Sequence, residues 1–367
     1  NHLHDVHNDY PLAPENLVVT GDMLSEYNTK FLKEKELKHT NCGKLIPHLG
    51  MRTNYICHYR NLKLYLSLGM ILKKVHKVLA FTQSPWMKEY IDINTSKRAV
   101  ANNKFEKDYY KLLNNSVFGK MMENVRNRID YSLINVSEEK KLQKMWNCPS
   151  FKSQRHINKD ILGVERFNKK VELNKPIIVG LCILDISKIL MYDFHYNKMK
   201  PMYGDKIKLL FTDTDSLCYH IQTDDFYRDM LPNKNLFDNS EYEQSHIFFD
   251  DSNKKVIGKF KDETSGDEIT EFIGLRSKMY SFMTNSMENE KRAKGISKAV
   301  VKNTITHQSY KDCIVNSTQM NVEVCSFRTS NHTIYTNKIN KIGRIKNQID
   351  CKIQVKQKLL KSFSGVY

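Results

Sequence analysis

Two short runs of alternating apolar residues, Ile207-Lys208-Leu209-Leu210-Phe211 and Leu217-Cys218-Tyr219-His220-Ile221, lie five residues apart. Apolar side chains at every second position mark strands with one buried face, and so short a gap folds the two strands into a β-hairpin. The intervening Thr212-Asp213-Thr214-Asp215-Ser216 puts two carboxylates at the tip. Carboxylates two apart in extended chain point the same way, and across a tight turn they can converge on a divalent cation. An acidic pair on an otherwise apolar hairpin is costly unless something neutralises it. An ordinary turn explains the same residues, because Asp side chains stabilise turns. A sugar-nucleotide transferase would also hold a metal with such a pair.

The partner class follows from charge. Among 367 residues, 58 Lys and Arg oppose 41 Asp and Glu, a formal +17, and the pI is near 9.3. Such a surplus attracts a polyanion, although it also serves simple solubility. With 40% apolar and 10% aromatic residues, the chain has the material for a core, which excludes disorder as its main state. The length fits about two domains at one per roughly 150 residues. No run reaches the ~18 apolar residues of a membrane span, and the start carries no secretory signal pattern. The eight cysteines stand singly, without CxxC pairs. They read as reduced, mostly buried thiols of an intracellular protein, in nucleus or cytoplasm, without disulfides or a structural metal.

Along the chain, Pro11, Pro14 and Pro47 predict an irregular first stretch. Apolar residues at helical spacing predict a long helix from Tyr59 to about Phe81, closed by Gln83-Ser84-Pro85. A second long helix is expected from Ser96 to Arg128, antiparallel to the first. Residues 129–173 read as an irregular insertion with short strands. Pro176 opens a buried helix over Ile177–Tyr196. Strands are expected over 256–260, 271–275 and 278–283, polar helix over 291–315, and a weakly patterned basic tail from Gly343.

Two further motifs carry chemistry. At about 100° per residue, Lys97, Lys104, Lys107 and Lys111 fall within about 40° of one stripe, which Asn115 and Phe118 continue. Cations followed by an amide and a ring suit a nucleotide, triphosphate on the cations and base on the ring. A solvated face with Phe118 in the core reads the same residues without a ligand, and Glu106 and Asp108 interrupt the positive field. In Ser277-Lys278-Met279-Tyr280, Lys278 and Tyr280 would share one face of a strand and both touch a nucleic-acid strand.

Taken in order, these motifs resemble those of the family B DNA polymerases, closest to the protein-primed type of viruses, linear plasmids and Maverick-like transposons. Lys111 through Gly119 is similar to that family's KxxxNSxYG, and Phe211 through Ser216 to its YxDTDS, with Phe118 and Phe211 in place of Tyr. Lys278 and Tyr280 match its KxY. Leu3 through Glu15 resembles the stretch that follows the family's first catalytic motif, so the carboxylate of that motif is expected upstream of Asn1 and the chain reads as a piece of a longer polymerase. Asp5 and Asp9 fall after the motif and carry little weight as substitutes.

The resemblance implies an α+β right-hand architecture: an incomplete palm with an antiparallel sheet, helical fingers and a helical thumb. It divides the chain into a palm remnant (1–58), fingers (59–128), the insertion (129–173), palm with the catalytic hairpin (174–283), thumb (284–342) and a divergent tail (343–367). It further implies two Mg²⁺ ions on Asp213 and Asp215. Lys104, Lys107 and Lys111 with Asn115 and Phe118 would bind the deoxynucleoside triphosphate, and Gly119, Ser216, Lys278 and Tyr280 the primer-template DNA. A terminal priming protein is a further expected partner, and no membrane is. The rival is a DNA-binding remnant of a mobile element without turnover. A DxD glycosyltransferase ranks third, because it explains neither the lysine stripe nor the KxY segment.

Overall fold

Residues 10–14 contain two prolines, which lack the N–H a strand ladder needs, yet their carbonyls still require partners. In the computed structural model each of the five carbonyls accepts from a side chain. Tyr196 Oη donates to Tyr10 O at 2.5 Å and Tyr192 Oη to Pro11 O at 2.9 Å. Arg52 reaches Leu12 O and Ala13 O, both at 2.8 Å, and Tyr55 reaches Pro14 O at 3.3 Å. The stretch expected to be merely irregular is thus fixed residue by residue. Leu12 and Ala13 pack with Tyr65, Tyr192 and Tyr196 in a small aromatic core.

The structure describes residues 2–34, 36, 38–39, 41–316, 320–330, 333–344 and 352–360. They form two compact units, one of Asn1–Thr95, Leu181–Glu268 and Gln357–Tyr367, the other of Ser96–Gly180 and Ile269–Lys356.

In the first unit, helices His2–His7 and Glu26–Glu34 and the antiparallel pair Glu15–Val19/Cys42–Ile46 occupy the expected irregular stretch. The long helix expected over 59–81 covers only Tyr59–Ser67. It ends because Gly69, at φ +97°, turns the chain left-handed. Gly69 N then bonds Leu66 O and Met70 N bonds Tyr65 O, the paired C-terminal bonds of a Schellman stop. Beyond it, residues 70–85 have no regular structure, and Ile71, Val75, Val78, Leu79 and Phe81 are exposed. The helix expected over 177–196 runs Ile177–Asp193 and continues as a π-turn, Phe194–Met199. Its aromatic side packs with the hairpin strands Ile207–Thr212 and Leu217–Ile221, and Phe226, Met230, Phe237, Phe248 and Phe260 complete this core. The strand expected over 256–260 is loop, with a single bridge from Phe260 to Phe237. Of the basic tail, residues 345–351 and 361–367 lie outside the described residues. Leu359 and Leu360, from the strand Lys352–Leu360, pair with His220 and Tyr219.

In the second unit, the helix expected over 96–128 is two: Lys88–Val100, which begins in the first unit, and Lys104–Met121. Asn103 breaks them by accepting from Glu106 N at 2.8 Å, a helix N-cap. Residues 129–167 are not irregular. Strands Ile129–Asn135, Phe151–His156 and Ile161–Phe167, with helix Glu139–Trp146, form a split β-α-β module whose third strand pairs antiparallel with both others. Ile134, Leu142, Leu162 and Val164 are its core. Strands Ile269–Arg276, Met279–Thr284 and Asn289–Ala293 make an antiparallel meander. Two short helices, Lys298–Thr304 and His307–Val315, replace the single one expected over 291–315 and pack on the meander through Val301, Ile305, Tyr310 and Cys313. The expected helical thumb is largely β: strands Met320–Ser330 and Thr333–Arg344 form a long ribbon. The fold class is α+β, built from several antiparallel sheets.

Candidate functional site

The hairpin in the first unit has the predicted register. Ile207 faces Ile221, and Thr212 faces Leu217, with a bulge at Leu210. All of Leu217–Ile221 is buried, which roots the hairpin in the core, while at the tip Asp213, Asp215 and Ser216 are half-exposed and Thr214 exposed. The tip closes on itself: Asp213 N donates to Ser216 O at 3.1 Å and Asp215 N to Asp213 O at 2.7 Å. Ser216 Oγ adds a bond to Asp213 O at 3.4 Å. Between the carboxylates Thr214 holds φ +63°, a left-handed conformation that a β-branched residue adopts only under strain. Strain of this kind is retained where the surroundings over-determine it, and it clusters at functional sites.

Behind the tip, the Tyr10 hydroxyl bonds the Thr212 side chain, and burial raises the Tyr10 pKa to about 12. His195, fully buried on the π-turn, meets Tyr219 Oη with Nδ1 at 2.9 Å and lies edge-on to Tyr10. Burial, with the charge of Lys200, lowers its pKa to about 4, so the ring is neutral at pH 7. Asp9, weighed above as a substitute carboxylate, pairs with Lys200 at 3.6 Å. Two Asp carboxylates and the carbonyls of a tight turn are hard oxygen donors suited to Mg²⁺, which commonly takes one or two carboxylates and completes its shell with water and substrate phosphate. Asp213 and Asp215 fit that donor set. Among the described residues, no group of three or more His, Cys, Asp or Glu side chains converges for a metal.

In the second unit, Lys104, Lys107, Lys111 and Asn115 lie exposed along helix Lys104–Met121, with Phe118 half-buried on the same side. Lys97 leaves the predicted stripe, since it belongs to the preceding helix, and sits over the Tyr110 ring at 6.0 Å. Met121 is the helix's one fully buried residue among those described, while Tyr110, Leu113, Asn114, Val117 and Phe118 are half-buried. At Gly119 an added Cβ would meet nothing within 4 Å. Its lack of a side chain is therefore not demanded by packing within the chain.

The KxY reading needs correction. Ser277 and Lys278 are the two-residue turn between strands Ile269–Arg276 and Met279–Thr284, with Lys278 at φ +58°. Lys278 and Tyr280 therefore do not alternate along one strand. Tyr280 lies parallel to Phe282 at 6.2 Å and beside Phe272 at 6.1 Å, half-buried.

One constellation escaped the sequence reading. Ser281 Oγ lies 2.8 Å from His307 Nδ1, His307 Nε2 lies 3.3 Å from Glu271 Oε2, and Lys311 bonds Glu271 at 2.8 Å. The connectivity is that of a Ser-His-acid hydrolase. Ser281, however, is fully buried, so no substrate reaches its hydroxyl. The network instead ties helix His307–Val315 to the meander. Only the spatial fold reveals it, because Glu271, Ser281 and His307 are 10 to 36 residues apart. The described thiols are less buried than expected: Cys218 and Cys313 are buried, Cys57, Cys148 and Cys182 half-buried and Cys325 exposed, and none of these six is in a disulfide.

Among the described residues no helix is long and apolar enough to cross a membrane. No protein-family model, curated protein or solved structure matches the chain.

Proposed function

We propose that the chain carries part of the nucleotidyl-transfer core of a DNA polymerase of the family B kind, acting on deoxynucleoside triphosphates and primer-template DNA. The observation that carries this reading is the buried hairpin with its strained tip, which presents Asp213 and Asp215 from a rigid base at the sequence of the DTDS motif. In the proposed reaction Asp213 and Asp215 would hold the Mg²⁺ ions. Bound Mg²⁺ would supply charge stabilisation at the phosphate under attack. Asp213 and Asp215 orient through the tip's own hydrogen bonds, so little reorganisation is left for the moment of reaction. Lys104, Lys107 and Lys111 form an open cationic row for the triphosphate, Asn115 and Phe118 line the base, and the open surface at Gly119 suits close approach of a nucleic-acid backbone. Phosphoryl transfer asks for positioning and charge rather than covalent work by the protein.

The test is Mn²⁺-dependent binding of a deoxynucleoside triphosphate, together with primer extension by a version that includes the gene's own upstream sequence. Asp215→Asn is expected to abolish extension and to weaken metal-dependent binding by at least tenfold. Wild-type extension by that variant sinks the assignment. A second reading, a DNA-binding protein without turnover, rests on the surplus of 58 Lys and Arg over 41 Asp and Glu, which attracts a polyanion whether or not the tip turns over. It predicts strongly salt-dependent DNA binding that Asp215→Asn leaves unchanged.

A further inference from the structure

We propose that the open sheet face of the module 129–167 binds single-stranded nucleic acid by base stacking, a site separate from the triphosphate and duplex contacts proposed above. Strand alternation divides the module cleanly. Ile134, Leu162 and Val164 face the helix Glu139–Trp146 and are buried. Ile129, Tyr131, Leu133 and Phe167 take the other face, at 54%, 45%, 63% and 58% exposure. Nothing among the described residues of that unit covers them to the degree that their partners on the inner face are covered.

The arrangement of this face favours a nucleic-acid strand over a protein partner. The Tyr131 ring lies across Gly163: a Cβ there would fall 1.9 Å from the Tyr131 hydroxyl and 2.6 Å from its ring carbon. The glycine lets an aromatic ring lie low on the sheet, which forms a platform rather than a knob. Lys152 sits over the Phe167 ring at 5.6 Å, and Arg155, exposed, stands beyond Gly163 on the facing strand. The one anion on this face, Glu165, is held by Lys152 at 2.5 Å and Ser153 at 2.9 Å, which neutralises it in place. On this face Lys152 and Arg155 thus stand against the single anion Glu165. Rings that lie along a sheet, bordered by cations, are the elements by which sequence-tolerant single-strand binding works: bases stack on the rings and phosphates meet the charges. A duplex, whose bases are already stacked on one another, offers no ring to this face.

The experiment uses the full chain and a fluorescein-labelled twelve-residue oligothymidylate, followed by anisotropy at fixed salt. Tyr131→Ala combined with Phe167→Ala is expected to weaken binding at least tenfold, while Tyr131→Phe stays within about twofold. Both substituted residues are exposed, and circular dichroism checks that the fold is retained. In Tyr131→Trp, oligothymidylate is expected to quench the new indole emission. Unchanged emission on saturation overturns the proposal, as does a double variant that binds within twofold of the parent. Conversion of a dimer to a monomer by the double variant also overturns it, because the face would then be covered by a second copy. Asp215→Asn is expected to leave all of these readouts unchanged, so failure of this site and failure of the polymerase reading are separable.

Discussion

Thr214→Gly separates strain from chemistry at the hairpin tip. Thr214 sits at φ +63°, where a residue with a Cβ is penalised by roughly 1–2 kcal/mol. Glycine removes that penalty but costs about 0.5–1 kcal/mol in unfolded-state entropy. The balance is a hairpin up to about 1.5 kcal/mol more stable, or amide exchange slowed by up to roughly tenfold across Leu217–Ile221 by mass spectrometry. Thr214→Asn, which tolerates the left-handed region better than a β-branched residue, is expected to fall between. If the strain is what holds Asp213 and Asp215 in a productive arrangement, the stabilised glycine variant binds the Mn²⁺–triphosphate pair less tightly than the parent. Exchange that speeds up in Thr214→Gly refutes the strain argument. Slower exchange with unchanged metal-dependent binding keeps the strain and refutes its functional role.

Other predictions rest on different parts of the molecule. Because His195 folds neutral with its pKa lowered from 6.5 to about 4, the unfolded state takes up its proton first. Stability from this group is full above pH 6.5 and falls by roughly 3 kcal/mol toward pH 4; a urea-midpoint profile whose slope in that window survives His195→Phe contradicts this. Burial pushes the Glu271 carboxyl up, but Lys311 and His307 outweigh it, and the net shift is down. Its contribution is therefore present above pH 4.5 and lost as pH falls further, and Glu271→Gln is expected to cost about 1–3 kcal/mol at pH 7 by thermal denaturation. Arg52→Ala strips the carbonyls of Leu12 and Ala13 of their donors and is expected to cost about 2–4 kcal/mol, read as early proteolysis near residues 10–14. Replacing Lys104, Lys107 and Lys111 with Ala is expected to flatten the salt dependence of DNA binding, by about 0.9 in log–log slope for each phosphate that is no longer neutralised.

The hairpin was legible because its signal is local. Period-two apolar residues set both strands to within one residue, and Asp213 and Asp215 stand at the tip where that pattern puts them. The helix that Pro176 opens was legible for the same reason. Helix ends were not, because single residues overrode a continuing apolar period. Gly69 stops one helix while Ile71, Val75 and Leu79 continue its pattern, and Asn103 splits another by capping. Gly69 and Asn103 were visible as letters, and the known preference for Gly after a helix and Asn before one would have found both. The Ser277–Lys278 turn was hidden because Lys rarely occupies a left-handed position, so the KxY segment looked like uninterrupted strand. The module 129–167 defeated the reading because its core is four residues spread over two strands and a helix, too few per element to show a period.

The connection from sequence to site runs through residues that no motif names. Pro11 and Pro14 deny the first segment a ladder, so its carbonyls fall to Tyr192 and Tyr196 on one side and to Arg52 and Tyr55 on the other. Those two tyrosines, four residues apart, straddle the junction where the helix loosens into the π-turn Phe194–Met199. An extra residue in a helical turn rotates everything beyond it by about 100°, and here the loosened turn carries both Tyr196, which grips Tyr10, and His195, which grips Tyr219 of the hairpin. Tyr10 in turn bonds Thr212, the last strand residue before Asp213. The tip is thus braced from the strand beside it and from the proline segment above, and this double bracing gives a physical reason why a threonine can be held at φ +63° between two carboxylates.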